Sequence, residues 1–99
     1  MKLNKTKIVA TIGPSSSSRP VIKRLMVAGV DVFRINFSHS SYEETAKTVQ
    51  EIRSLNEELN IHASVLGDLQ GPKIRVGEVK EGVCLKKGSH ISFTTNEIN

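Results

Sequence analysis

Arg34, Asn36 and Ser38 fall at alternate positions within residues 32–39, Val-Phe-Arg-Ile-Asn-Phe-Ser-His. Alternation across a strand puts all three on one face. An Arg, an amide and a hydroxyl so placed form a compact receptor for an anion, with the guanidinium supplying a fixed fork of donors. Phe33, Ile35 and Phe37 then share the opposite, apolar face. The same row also describes an edge strand that shows its polar side to water, as antiparallel sheets routinely do. The residues alone leave both readings open.

The elements around the row bear on that choice. Residues 7–13, Lys-Ile-Val-Ala-Thr-Ile-Gly, are a nearly continuous apolar run, rich in β-branched residues, of the kind found in a strand covered on both faces. Gly13 and Pro14 end it, and the serines 15–18 follow as a loop. Ser18 is placed to cap a helix with Pro20 in its first turn, Val21, Leu25 and Ala28 along one face, and Gly29 closing it. The serine run lacks the glycine spacing and lysine of a P-loop, and no G-x-G-x-x-G follows the strand, so a turn is the simpler reading. After the central strand, Ser41 and Glu44 have the spacing of a capping box. The helix they open carries Ala46, Val49, Ile52, Leu55 or Asn56, and Leu59 as a stripe, with Glu43, Lys47, Glu51, Arg53 and Glu57 facing water. Asn60 ends it, and residues 61–66 form a third strand that delivers Gly67 and Asp68 at its carboxyl end. The order is β-α-β-α-β. Helical crossovers imply parallel strands, so Arg34, Asn36, Ser38 and Asp68 converge at one edge of the sheet. In open α/β sheets and in (β/α) barrels, chemistry gathers at that carboxyl edge.

Past Gly71-Pro72 the helical period stops. Short alternating runs, Ile74-Arg75-Val76 and His90-Ile91-Ser92-Phe93-Thr94, are broken by Gly77, Gly82 and Gly88, which suggests the first strands of a small all-β module. With 99 residues, both this module and the three-stranded sheet would keep bare edges, so the chain reads as unfinished. The net charge of +4 is spread along the sequence and aromatics make up 4%, which argues against a nucleic-acid partner. Residues 1–7 are polar and no apolar run approaches a membrane span, so a soluble, intracellular protein is expected. The lone Cys84 fits a reducing compartment and is expected to be a small core residue.

Three blocks now identify a resemblance. Thr6-Lys7-Ile8-Val9-Ala10-Thr11-Ile12-Gly13-Pro14-Ser15-Ser16, Arg34-Ile35-Asn36-Phe37-Ser38-His39 and Asp68-Leu69-Gln70-Gly71-Pro72-Lys73-Ile74-Arg75 resemble, in order and spacing, the N-terminal region of pyruvate kinase. The resemblance implies an α/β fold in which residues 1–72 are the opening β-α-β-α-β of a TIM (β/α)8 barrel. Residues 73–99 would be the first strands of an inserted all-β barrel domain. It implies phosphoryl transfer from phosphoenolpyruvate to ADP, giving ATP and an enolate that is protonated to pyruvate. Carried over by position, Arg34 resembles the residue that holds the substrate phosphoryl group. Asn36, Phe37, Ser38 and His39 resemble part of the nucleotide site, and Arg75 the arginine that meets the nucleotide phosphates. Asn36, Ser38 and Asp68, with the carbonyl of Leu69, resemble a monovalent cation site. Arg34, Lys73 and Arg75 would then share the catalytic work, which in phosphoryl transfer is positioning and charge neutralisation. His62 and His90 match no functional position.

One departure is informative. Potassium-dependent members of the family have Glu where this chain has Lys73, and Thr-Lys in place of Leu69-Gln70. Members that work without potassium resemble this sequence, with an aliphatic residue at Val76 as well. A tethered ammonium can supply the positive charge that potassium would bring. The parent enzyme is therefore expected not to require it. The family's catalytic lysine, the Glu and Asp that hold Mg2+, and the regulatory C-terminal domain all fall past Asn99, so the 99 residues alone are expected to be inactive. The family further implies a cytoplasmic homotetramer with no membrane or nucleic-acid partner. Two other functions fit less of the chain: an autonomous, non-catalytic binding module whose basic β half docks on an acidic partner, or a different phosphoenolpyruvate-using barrel enzyme. The Gly-Pro-Lys-Ile-Arg stretch leading into β structure argues against the latter.

Overall fold

A computed structural model describes residues 5–96. Five elements follow in the expected order: β1 (Val9–Thr11), α1 (Arg19–Ala28), β2 (Val32–Asn36), α2 (Tyr42–Leu59) and β3 (Ser64–Asp68). The strands form one parallel sheet in the order β1-β2-β3, with Thr11 level with Arg34 and Asn36 level with Asp68.

Both helices lie on one side of the sheet, and the core sits between. Phe33 of β2 is fully buried against Ile22 and Met26 of α1 and Ile52 and Leu55 of α2, with Val30 and Ala63 closing the ends. Fully burying a side chain such as Phe33 contributes about 1.5–3 kcal/mol, so this small cluster is the main reason the sheet holds together. The inward face of α1 is Ile22 and Met26, with Leu25 half-buried and Ala28 exposed. That is about one residue out of phase with the expected Val21, Leu25 and Ala28. Along α2, Thr48 rather than Ala46 joins the buried stripe.

The helix ends are set locally. Ser41 Oγ accepts from the Glu44 backbone N–H at 3.2 Å while Glu44 accepts from the Ser41 N–H at 3.4 Å, completing the capping box. Ser18 occupies the N-cap position of α1 but makes no side-chain cap bond; Pro20 in the first turn lacks an N–H to satisfy. Gly29 closes α1 in the left-handed region at φ 111°, where a glycine is required. Arg19 of α1 reaches α2, donating to Glu51 at 2.7 Å and Glu58 at 3.3 Å. The hydrogen bond to Glu51 is the main reason its guanidinium is held still more firmly charged than usual.

Asn56 is the pin between α2 and β3. Its amide donates to the Ala63 carbonyl at 2.9 Å and accepts from the Ala63 N–H at 3.0 Å. Asn56→Ala is expected to leave both backbone groups unpaired in a buried setting, at a cost of about 1–3 kcal/mol. Amide hydrogen exchange at Ala63 and Ser64 checks this: their protection should fall while that of β1 is kept.

Four expectations need correction. The sheet is covered on the helix side alone, because Val9 (54% exposed) and Leu66 (44%) lie open on the other side. β2 ends at Asn36, so Ser38 lies in a turn and not in the strand row. The cause is Asn36 itself: its Oδ1 accepts from the Ser38 N–H at 3.0 Å, a local bond that competes with the ladder. Residues 73–96 form no strand, and every one of them is exposed, Cys84 included, which makes that thiol no core residue. A strand exists only when a neighbour pairs with it, and alternation alone provides no neighbour. The radius of gyration, 19.4 Å, exceeds the roughly 13 Å of a closed domain this long, because the tail does not fold back on the sheet.

Candidate functional site

The polar groups gather at the carboxyl edge of the sheet. Arg34 is the centre. Its Nε donates to Asp68 Oδ2 at 3.1 Å, its Nη2 donates to the same oxygen, and its Nη1 donates to Thr11 Oγ1 at 3.2 Å. Each of the three strands thus contributes one member of the cluster. The Arg34 and Asp68 side chains are 31% and 46% exposed, so the ion pair is worth at most about 1 kcal/mol to the fold. Its consequence is orientation. A guanidinium carries five N–H bonds, and the contacts with Asp68 and Thr11 leave two of them free to meet an anion.

Beside this cluster the chain leaves β2 in a turn fixed from both sides. The His39 N–H donates to the Asn36 carbonyl at 3.2 Å, the Phe37 N–H to the Asp68 carbonyl at 3.2 Å, and Gln70 Nε2 to the Phe37 carbonyl at 2.8 Å. Gly67 lets the Phe37 ring approach: a Cβ there would stand 2.7 Å from Phe37 Cε2. A groove of about 840 Å³ opens along the carboxyl ends of β1 and β2, lined by Thr11, Pro14, Asn36, His39, Thr45 and Lys47 among others. The buried hydroxyl of Thr45 has no hydrogen-bond partner among the described residues.

Arg34 and Asp68 therefore meet as the parallel topology implies, and Asn36 and His39 line the groove, which of the cluster only Thr11 borders directly. Ser38 is exposed in the turn, and Phe37 contributes its backbone while its ring packs on Gly67. Leu69, Lys73 and Arg75 are exposed past β3; among the described residues the two basic side chains have no hydrogen-bonded or ionic partner. The sequence reading missed Thr11, Gln70 and Thr45. Thr11 was legible in principle, since it is the one hydroxyl in the first strand and falls at its carboxyl end.

The oxygens of Asn36, Ser38, Asp68 and the Leu69 carbonyl are hard donors with a single carboxylate among them. That set suits a weakly held monovalent cation better than a divalent one. Asn36 Oδ1 and Asp68 Oδ2 already accept hydrogen bonds, Asp68 from a cationic group. Among the described residues no three His, Cys, Asp or Glu side chains gather as a site for a metal ion.

Comparison with known proteins agrees with this geometry. The family model for the pyruvate kinase barrel domain matches residues 3–99. Pyruvate kinase of Thermococcus litoralis is 48% identical over 96 residues, covering 96% of this chain and 20% of that protein. Pyruvate kinase of Staphylococcus epidermidis is 42% identical over 97 residues, covering 97% of this chain and 17% of that protein. The crystal structure of a pyruvate kinase from Cryptosporidium parvum superposes with a TM-score of 0.64 at 36% identity, over 69% of this chain and 14% of that one. The chain thus spans a fifth or less of the length of these relatives. A family match running through all five elements and both ends of the Arg34–Asp68 pair places the chain in a known group: it belongs to the pyruvate kinase barrel-domain family.

Proposed function

We propose that these residues are the opening of an enzyme that transfers the phosphoryl group of phosphoenolpyruvate to ADP. The observation that carries the reading is Arg34, oriented by Thr11 and Asp68 and left with free donors at the carboxyl edge beside an open groove. A phosphoryl group in flight spreads negative charge over its oxygens, and a preoriented guanidinium stabilises that charge without reorganising. Arg34 holds the substrate phosphoryl group; Asn36, Ser38 and His39 border the nucleotide, and Arg75 meets its phosphates once the tail is folded. Mg2+, whose ligands the resemblance puts past residue 99, would when bound neutralise further phosphate charge. Asn36, Ser38, Asp68 and Leu69 would hold a monovalent cation where one is used. Residues 73–99, unpaired where described, would become strands of the inserted β domain once its remaining strands pair with them, and the full protein is a cytoplasmic homotetramer.

The test is ATP formation from phosphoenolpyruvate and ADP by the native polypeptide carrying this sequence. Turnover is expected there and none from residues 1–99 alone. Magnesium-dependent ATP formation by the isolated 99 residues, above that of an Arg34→Ala control, would contradict the assignment of the missing chemistry to later residues.

A further inference from the structure

We infer that Thr11 is a positioning residue for Arg34, an inference that rests on the phosphoryl-transfer reading above. Asp68 takes both of its hydrogen bonds from Arg34 on one oxygen, Oδ2. Those two donors hold one side of the guanidinium and leave its Nη1 end without a partner on β3. Thr11 Oγ1 accepts from Nη1 at 3.2 Å, from the strand on the other side of β2, and supplies the second point that fixes the plane. The strand register makes this contact structural: Thr11 lies directly level with Arg34 in the β1–β2 ladder, so the hydroxyl is carried to the guanidinium by the sheet itself. Both β1 and β3 thus flank the arginine with an acceptor, and one N–H on Nη1 and one on Nη2 remain free. Orientation of that kind is worth most in a reaction whose catalysis consists of placement.

Thr11 also borders the groove, so its hydroxyl has a competing role as a direct contact to whatever binds there. A double-mutant cycle separates the two. In the native polypeptide, Thr11→Val is expected to lower kcat/KM for phosphoenolpyruvate about tenfold, the loss of one hydrogen bond to a charged group, while Thr11→Ser restores it. In an Arg34→Lys background, where the fork is gone, Thr11→Val should change kcat/KM by less than about twofold. An equal loss in both backgrounds, or a Thr11→Ser variant as impaired as Thr11→Val, overturns the inference.

A second readout does not depend on turnover. With 15N-labelled arginine, rotation about the Arg34 Cζ–Nε bond should be slow in the wild type and Thr11→Ser and faster in Thr11→Val. Identical Arg34 line shapes in the wild type and Thr11→Val overturn the inference whatever the enzyme does. Absence of any phosphoenolpyruvate turnover with slow Arg34 rotation lost in Thr11→Val would instead leave the positioning intact and overturn the functional reading.

Discussion

Arg34→Ala in the native polypeptide is expected to lower kcat/KM for phosphoenolpyruvate by about 10³-fold or more, the scale on which arginines act in phosphoryl transfer. Two features make the effect large. The guanidinium is already held by Thr11 and Asp68, so substrate binding does not have to order it. Its removal also leaves the Asp68 carboxylate facing the place where the phosphoryl group would sit, which turns attraction into repulsion. Arg34→Lys keeps the charge but not the planar fork, and should recover only part of the loss. The fold should survive both changes, because an ion pair this exposed stabilises it by about 1 kcal/mol or less. Circular dichroism and a melting curve alongside the kinetics therefore separate a chemical defect from an unfolded one. A loss below about tenfold in a folded Arg34→Ala variant would remove Arg34 from the phosphoryl site.

The alternation of strands and helices was legible because local signals agreed with one another. The capping box at Ser41 and Glu44, Gly29 after α1 and Asn60 after α2 each mark a boundary that forms as read. The meeting of Arg34 with Asp68 was legible for a different reason. Parallel strands joined by helices must end on the same edge, whatever the side chains in between. What stayed hidden depended on neighbours. Apolar residues such as Val9 and Leu66 announce that a strand will be buried, but not which partner covers each face, and here one face is open. The runs around Ile74 and Phe93 likewise carry alternation without a ladder, and Cys84 goes unburied with them. Thr11 escaped notice because it sits inside a run whose apolar character dominated, and only the strand register shows that it stands beside Arg34.

Turnover by the native polypeptide is expected to be the same, within about twofold, in potassium and in a bulky quaternary ammonium salt at equal ionic strength. Replacing Lys73 by Glu should break that indifference. The argument begins with charge near Asp68. One of its oxygens is occupied by Arg34, and Asn36 Oδ1 is occupied by the Ser38 N–H, so the oxygens left for a cation are few. Lys73, exposed and without a hydrogen-bonded or ionic partner among the described residues, carries an ammonium free to take that place once the chain after β3 is folded around substrate. Lys73→Glu substitutes a negative charge for a positive one beside a negatively charged transition state. The loss should be about 10²-fold in the quaternary ammonium salt, comparable to removing one preorganised stabilising group. Potassium should then recover a large part of it, because Asn36, Ser38, Asp68, Leu69 and the new carboxylate together form a better charged oxygen site. A wild-type enzyme whose turnover collapses in the quaternary ammonium salt would sink the idea. So would a Lys73→Glu variant that loses activity equally in both salts, since that would make Lys73 a direct contact of the substrate and not a substitute for the ion.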